Sequence, residues 1–179
     1  VIAVKAAMVA GVIERLNAHP EGARTYIIFM SDNGYFFGDH RIPDGKGKLY
    51  DPSHRVPLLV AGPGVRKNTT RTDLALNTDI LPTVMTMAGA AAPANCDGRS
   101  LLPLITTATP STRRSFLMSW STRGYALRTN RYAYLETKQG AAGMVRELYD
   151  LLADPAQMTN IHDKLEDCAV IHQLTCATP

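Results

Sequence analysis

The stretch Tyr26–Val65, YIIFMSDNGYFFGDHRIPDGKGKLYDPSHRVPLLVAGPGV, joins two apolar runs through a long polar loop. The first run, Thr25–Met30, is continuous and β-rich, which predicts a strand covered on both faces. The second run, Val56–Gly62, predicts another such strand and closes with a Gly-Pro-Gly turn signal. The loop begins with an acid and an amide and then continues into cations. We therefore expect this stretch to carry chemistry as well as fold.

Two helical patterns flank these strands. The opening segment VIAVKAAMVAGVIERLNAH repeats apolar residues near the 3.6-residue period of a helix. The segment TDILPTVMTMAGA predicts a second helix, with Asp79 near its start and Gly89 as its C-terminal stop. Helices that alternate with strands in this way predict an α/β fold with a mostly parallel sheet, which we assign to residues 1–112.

The remaining residues, 113–179, predict a small α+β subdomain. The short runs FLMSW, GYALRTN, RYAYLE and RELYDL are linked by tight or Gly-rich turns, at Thr129-Asn130 and at Gln139–Gly143, and predict an antiparallel sheet of up to four strands. We expect a helix from Asp154-Pro155 onward. Its apolar positions are Ile161, Leu165, Ile171 and Leu174.

Composition limits the function classes. At 179 residues, with 45% hydrophobic and 20% charged residues, the chain is long enough for one sizeable core and reads as globular. The formal net charge of +3 is small and the cations are scattered, which argues against a nucleic-acid partner. No apolar run approaches the length of a membrane span.

Two features bear on context. The chain opens in a helical pattern without a starting Met or an N-cap, which fits either an artificial or maturation boundary or a piece of a larger fold. Cys168 and Cys176 could form a disulfide across a short loop, or remain two unpaired thiols. We expect an exported protein (periplasmic, extracellular or lysosomal) rather than a cytoplasmic one.

Asp32 and Asn33 lie where the first predicted strand, Thr25–Met30, ends. In open α/β sheets ligands bind beyond the carboxyl ends of strands, and carboxylate and amide oxygens are hard donors that suit Ca²⁺ or Mg²⁺. The alternative is a Ser-Asp-Asn-Gly turn that binds no metal, because these are common turn residues.

His40 and Lys46 lie a few residues further along. A lysine can hold an anionic oxygen as a point charge, and a histidine can donate a proton to a leaving oxygen, so the pair suits a substrate with a multi-oxygen anion. Taken singly, His40 also fits an ordinary loop residue and Lys46 a solvated surface residue. We interpret Arg55 as the cap of a structural strand.

These residues together resemble the sulfatase family of the alkaline-phosphatase-like superfamily, in particular the branch with N-acetylglucosamine-6-sulfatase and related arylsulfatases. The shared elements are Ser31–Gly34, Gly38–His40, Gly45-Lys46 before Tyr50, and Arg55–Val60. The resemblance continues through NTDILPTVMTMAGA, CDGRSLLPLI and the segment from YALRTN to the C-terminal region. It implies the C-terminal part of a sulfatase mixed sheet with flanking helices, followed by the antiparallel subdomain.

The resemblance also implies roles. Asp32 and Asn33 match two Ca²⁺ ligands of the family, and His40 and Lys46 match residues that contact the sulfate. The family cleaves sulfate esters with a formylglycine, made from a Cys or Ser in a Cys/Ser-x-Pro-x-Arg motif. We expect Ca²⁺ in preference to Mg²⁺ as cofactor.

Departures from the family pattern qualify this picture. No Cys or Ser here precedes x-Pro-x-Arg, and the family's early Asp-Asp metal pair is absent. We therefore expect the formylglycine and half of the metal shell upstream of this chain, on a missing N-terminal part of the same fold. Asp51-Pro52 replaces the usual acidic pair and Phe36-Phe37 replaces smaller or polar residues, so substrate preference stays open.

Three hypotheses follow: part of a Ca²⁺-dependent sulfatase acting on a sulfated sugar or aryl ester, a phosphatase or phosphodiesterase of the same superfamily, or a non-catalytic truncated module. The second commonly carries His after the strand-end Asp, and Asn33 argues against it.

Expected partners are the sulfate ester, the missing part of the fold, and a second copy in a homo-oligomer. An incomplete sheet should leave an exposed apolar face near Thr25–Met30 or Val56–Val60.

Overall fold

The computed structural model of the chain describes residues 2–107, 109–138, 140 and 143–164. Contacts between residues divide the chain into two compact units. Unit 1 comprises Val1–Met30, Pro57–Thr70 and Ala75–Thr109. Unit 2 comprises Ser31–Val56, Arg71–Leu74 and Pro110–Pro179. Within the described residues, no helix combines the length and apolar character that a membrane crossing requires.

Unit 1 follows the predicted order of elements. Helix α1 spans Ile2–Ala18, strand β1 Ile27–Met30, strand β2 Leu58–Ala61, helix α3 Ile80–Met87 and helix α4 Leu102–Thr106; the short helix α2, Asp51–His54, belongs to unit 2. Gly89 follows α3 with a φ of 70°, the left-handed conformation in which glycine ends helices. The predicted helix–strand–loop–strand–helix order is therefore confirmed.

The prediction of a mostly parallel sheet is wrong for the described residues. β1 and β2 pair antiparallel, with Ile27 opposite Ala61 and Met30 opposite Leu58. A parallel return needs a crossover connection, usually a helix lying on the sheet face. The residues between the two strands instead fold with unit 2 and contain only the four-residue α2.

The two strands also leave one apolar face open. Phe29 and Leu59 are directly paired across the sheet, and 46% and 58% of their respective surfaces are exposed. The prediction that both faces are covered is therefore wrong for this chain. The expected exposed apolar face of an incomplete sheet is confirmed.

A buried polar junction holds the second half of unit 1 together. The Asp79 carboxylate is fully buried and accepts hydrogen bonds from the backbone N–H groups of Leu76 and Arg99, each at 2.8 Å. The Thr83 hydroxyl donates to the Asp79 carbonyl and accepts from the Leu101 N–H. This junction ties the start of α3 to the segment that leads into α4.

Unit 2 is built on an antiparallel meander. Its strands are β3 (Ser115–Ser119), β4 (Gly124–Thr129), β5 (Tyr132–Lys138) and β6 (Met144–Asp150), in spatial order β3-β4-β5-β6. One face carries a cluster of Leu49, Ala126, Ala133, Leu135 and Tyr149, and the other a cluster of Leu127, Tyr134 and Leu148. The four-stranded antiparallel sheet predicted from period-two alternation is confirmed.

The helix predicted from Asp154-Pro155 is wrong as far as Ile161. The Asp154 carboxylate accepts from the Thr159 N–H at 2.7 Å, and Gln157 adopts a left-handed φ of 57°, so the segment forms turns. Ile161 packs against the Leu127–Tyr134–Leu148 cluster, and a short 3₁₀ turn follows at His162–Lys164. Leu165, Ile171, Leu174, Cys168 and Cys176 lie outside the described residues.

Candidate functional site

The four site residues predicted from the sequence all lie in the loop Ser31–Val56 of unit 2. This loop is fastened internally where it turns. The Gly34 N–H donates to the Ser53 carbonyl at 2.9 Å, and a Cβ at Gly34 would lie 2.0 Å from the Pro52 carbonyl oxygen. Only glycine fits there, so the Asp32-Asn33 pair is held against the far end of its own loop.

Asn33 and Lys46 are in direct contact. The Lys46 ammonium donates to Asn33 Oδ1 at 2.8 Å, and Asn33 Nδ2 donates to the Gly34 carbonyl at 2.8 Å. The structure thus brings together one predicted metal ligand and one predicted anion contact, thirteen residues apart in sequence. Asp32 is exposed beside them, with Oδ1 3.4 Å from the Ser31 hydroxyl.

The donor set fits part of a hard-cation site. Asp32 supplies a carboxylate and Asn33 an amide oxygen with a second lone pair beyond the one that Lys46 uses. Within the ranges that the structure describes, no group of three or more His, Cys, Asp or Glu side chains could hold a metal. Two ligands are fewer than the six to eight oxygens typical of Ca²⁺, so the rest of a shell would come from elsewhere.

His40 occupies an unusual turn. Gly38 donates to the Ile42 carbonyl at 3.0 Å, and both His40 and Arg41 adopt left-handed backbone angles, with φ of 53° and 59°. The His40 imidazole stacks on the Tyr50 ring at 4.0 Å between centroids and 10° between planes. Its Nε2 is buried without a hydrogen-bond partner. None of the hydrogen bonds found among the described residues joins His40 to Asn33 or Lys46.

The anchor of Tyr50 was not foreseen from the sequence. The Tyr50 hydroxyl donates to the Glu147 carboxylate, at 2.9 and 3.0 Å from its two oxygens, and the Tyr149 hydroxyl donates to Glu147 Oε1 at 2.7 Å. Burial and the Glu147 charge raise the pKa of Tyr50 to about 12, so it donates at every working pH. Glu147 lies 97 residues after Tyr50, and nothing in a local pattern signals such a pair.

A wide cavity opens beside this cluster in unit 2. Its volume is about 890 Å³, and its lining includes His40, Lys48, Tyr50, Trp120, Arg123 and Glu147. The Lys48 ammonium and the Arg123 guanidinium lie 4.9 and 5.3 Å from the Trp120 ring. The cavity therefore presents aromatic faces and cations next to His40.

Behind this site, Asp51 fixes the loop to the sheet. Its carboxylate pairs with Arg128 at 3.1 Å, and its N–H donates to Gln157 Oε1 at 2.7 Å. Arg55 is largely exposed and lies 3.8 Å from Asp51. The loop is thus bound to both β4 and the turn after β6.

Comparison with known proteins identifies the family. The family model described as N-sulphoglucosamine sulphohydrolase, C-terminal, matches residues 38–177. The chain belongs to the sulfatase family, as part of its C-terminal region. The matched range contains His40, Lys46 and the whole β3–β6 sheet.

Individual relatives agree with this sulfatase assignment. Arylsulfatase K of Canis lupus familiaris is 32% identical over 80% of this chain, which covers 29% of that protein. N-acetylglucosamine-6-sulfatase of Homo sapiens is 32% identical over 86% of this chain, which covers 34% of that protein. The chain thus spans about a third of the length of these curated relatives, and the branch suggested by the sequence is confirmed.

Solved structures share the fold. The structure of BT4656 in complex with D-glucosamine-2-N,6-O-disulfate matches 94% of this sulfatase chain with a TM-score of 0.84 and 26% identity, and the match covers 36% of BT4656. A phosphonate monoester hydrolase of Agrobacterium radiobacter matches 94% of this chain, and 36% of its own, with a TM-score of 0.77 and 25% identity. The mixed α/β character of the fold is confirmed.

Proposed function

We propose that this chain is part of a sulfatase that hydrolyses sulfate esters of a sulfated sugar or an aryl compound. The observation that carries the proposal is the contact of Lys46 with Asn33, in the loop Ser31–Val56, which the family match covers from residue 38 onward. This contact places the Lys46 ammonium, which suits a sulfate oxygen, beside the Asn33 amide oxygen, which suits a metal ion. The formylglycine and the remaining metal ligands would lie on parts of the enzyme outside this sequence.

Asp32 and Asn33 would hold one Ca²⁺, in preference to Mg²⁺, through their side-chain oxygens. When bound, the ion would polarise the sulfate oxygens. Because the Lys46 ammonium donates to Asn33 Oδ1, an ion held by that oxygen would lie close to a second positive charge, and the two would repel each other. An anion whose oxygens contact both cations removes this repulsion, so the pair favours a bound multi-oxygen anion.

His40 and Lys46 would act on the sulfate group. Lys46 would stabilise negative charge that grows on a non-bridging oxygen as the S–O bond breaks. His40 would donate its proton to the leaving oxygen, which becomes an alcohol. Its Nε2 makes no hydrogen bond in this structure, so that nitrogen is not already engaged by another group of the described residues.

The test of the metal assignment is Asp32→Ala in the complete enzyme. We expect loss of bound Ca²⁺ and of turnover with the fold retained, because Asp32 is exposed. Metal content by mass spectrometry and circular dichroism measure the two effects. If Ca²⁺ content and turnover both survive, the assignment is wrong.

The test of the anion assignment is Lys46→Ala, with Lys67→Ala, an exposed lysine of unit 1, as the matched control. We expect a loss in kcat/KM corresponding to about 2.7–4 kcal/mol, the scale of one oxyanion donor. Lys67→Ala should leave kcat/KM unchanged. Equal behaviour of the two variants would contradict the role of Lys46.

The chain of 179 residues by itself should not turn over an aryl sulfate with Ca²⁺ present. It contains no Cys/Ser-x-Pro-x-Arg motif and offers two of the expected oxygen ligands. Turnover above a Lys46→Ala control would mean that a nucleophile lies within these residues. Such a result would contradict the proposal that the nucleophile lies outside this sequence.

A second candidate function is hydrolysis of phosphate or phosphonate esters. The likeness to a phosphonate monoester hydrolase favours it. Asn33 opposes it, because phosphatases and phosphodiesterases of the superfamily commonly carry His at this position. Parallel assays of the complete enzyme with an aryl sulfate and a phenyl phosphonate monoester separate the two. A non-catalytic module would show binding of sulfate without turnover of either ester.

An exported location remains part of the proposal. It rests on Cys168 and Cys176, whose spacing allows a disulfide. Mass spectrometry of a non-reducing digest of secreted material tests it. A pair of free thiols there would remove the support.

A further inference from the structure

The position of His40 depends on a costly backbone. Two consecutive non-glycine residues, His40 and Arg41, are left-handed, a conformation that such residues rarely adopt and keep only where their surroundings impose it. The turn has hydrogen bonds from Gly38 to Ile42 and from Arg41 back to Gly38. These fix the backbone but leave the imidazole free to rotate about its side-chain bonds.

The ring contacts fix the imidazole. Its face lies on Tyr50 at 4.0 Å and 10°, and the Phe36 ring meets it nearly edge-on, at 6.4 Å and 89°. A stacked ring has its nitrogens in a plane parallel to its neighbour, so the direction of Nε2 follows the orientation of the Tyr50 plane. Phe36 is fully buried and acts as a fixed wall.

The Tyr50 plane is in turn fixed from its far end. The Tyr50 hydroxyl bonds to both oxygens of Glu147, and Glu147 lies on β6, at the centre of the β5–β6 pairing and opposite Leu135. Tyr149, two residues along the same strand, donates to the same carboxylate and holds it in place. Strand β6 thus fixes Glu147, Glu147 fixes the Tyr50 ring through hydrogen bonds, and the Tyr50 ring fixes the plane of the His40 imidazole by stacking.

We propose that Tyr50, anchored by Glu147, is a positioning residue that sets the orientation of the His40 imidazole. The inference rests on the proposed function of His40 as the donor to the leaving oxygen. Tyr50 contacts neither substrate nor metal in this scheme. Its effect is to keep the proton donor aligned, since misplacement by about 1 Å can cost roughly 10²-fold in rate.

A kinetic test in the complete enzyme compares Tyr50→Leu with wild type, on an activated aryl sulfate and on an alkyl sulfate with a poor leaving group. Loss of the stack should lower kcat for the alkyl sulfate by about tenfold or more, with little change in KM and little change for the aryl sulfate. Adding Tyr50→Leu to a His40→Ala background should change the ratio of the two rates no further. Equal losses on both substrates, or additive losses, would overturn the inference.

The chain contains a matched control for the anchor. Tyr134 also donates to a carboxylate, Glu136 at 2.7 Å, and belongs to the cluster on the opposite face of the sheet. Tyr50→Phe keeps the ring and loses the anchor, so it should give a smaller loss of the same substrate-selective kind. Tyr134→Phe should leave the ratio of rates unchanged, and an equal effect of the two substitutions would overturn the role of the anchor.

A readout without turnover separates the inference from the proposed function. A ring stacked at 4.0 Å shields its partner, so the His40 ring protons should resonate upfield of those of a free histidine, with assignment by His40→Gln. Tyr50→Leu should abolish the shift and Tyr134→Phe should keep it. If the His40 ring protons of the wild-type protein show no upfield shift, the positioning role is wrong, whatever the activity. If they show the expected upfield shift but the complete enzyme hydrolyses no sulfate ester, only the proposed function is wrong.

Discussion

The two units differ in what happens to their apolar residues. In unit 2, Leu135 and Leu148 are completely buried within a four-stranded sheet that has a cluster on each face. In unit 1, the paired residues Phe29 and Leu59 of an equally apolar two-stranded sheet remain about half exposed. An apolar run therefore specifies a strand, but its burial depends on a neighbouring element that packs against it.

Helix α1 shows the same contrast. Its residues Met8 and Val12 are 68% and 57% exposed, although the segment has the apolar period of a packed helix. Unit 1 instead places a buried polar group, Asp79, at its best-defined junction. Local hydrogen bonding thus accounts for more of the order of unit 1, and apolar packing for more of the order of unit 2.

The largest expected effect concerns association. The open face around Phe29 and Leu59 should make the chain of 179 residues associate, with itself or with a missing part of its fold. Phe29→Ser with Leu59→Ser should raise the concentration needed for self-association by roughly tenfold or more, because burial of each side chain is worth about 1.5–3 kcal/mol. Analytical ultracentrifugation measures this. Leu152→Ser, an exposed leucine of unit 2, is the control, and an equal effect there would contradict a role for the open face.

The next effect is on stability. Leu135→Ala should lower the free energy of unfolding by about 2–5 kcal/mol, since it leaves a cavity in the cluster around Leu49 and Tyr149. Leu59→Ala should change it by less than about 0.5 kcal/mol, because that side chain is exposed. Urea denaturation of both variants measures the difference. Similar values would mean that the two units bury apolar surface alike.

A smaller loss is expected at the polar junction of unit 1. Asp79→Ala leaves the N–H groups of Leu76 and Arg99 without their carboxylate acceptor and should cost about 1–3 kcal/mol. Asp97→Ala, an exposed aspartate of the same unit, should change stability by less than about 0.5 kcal/mol. Thermal unfolding monitored by circular dichroism compares them. If Asp79→Ala leaves the thermal stability unchanged, these hydrogen bonds do not stabilise unit 1.

The smallest effect is pH-dependent. The hydrogen bonds from Tyr134 and then Arg146 lower the pKa of Glu136 below its ordinary value of 4.5. A lowered folded-state pKa contributes stability above about pH 4.5 that is lost as the pH falls through the folded value. Because Glu136 is partly exposed, this contribution should stay below about 1 kcal/mol. Glu136→Gln should flatten the acid limb of the stability profile, as measured by urea denaturation at a series of pH values, and an unchanged acid limb would contradict this contribution.

Local patterns predicted most of the elements, and long-range contacts account for the failures. The β4–β6 strands were predictable because alternation over six or seven residues and short turns determine both the strands and their antiparallel pairing. The direction of β2 was not, because it depends on where the intervening loop folds. The helix expected after Asp154 failed because that carboxylate bonds five residues ahead and closes a turn.

The site shows the same division. The contact of Lys46 with Asn33 lies within one loop, and residue chemistry at a strand end pointed to both partners. The anchor of Tyr50 on Glu147 joins a loop to a strand 97 residues away, and the sequence gives no local sign of it. The roles of Asp32, Asn33, His40 and Lys46 stay predictions until the substitutions above are measured.

Under the proposed role of His40, its left-handed turn opposes backbone stability to activity. Glycine or asparagine would relieve the backbone cost at that position, so His40→Gly should stabilise the loop while removing the imidazole. Selection for a robust fold alone would drive the position toward those two residues. If His40 acts as proposed, a gene copy that no longer carries out the reaction would be free to replace it with glycine or asparagine.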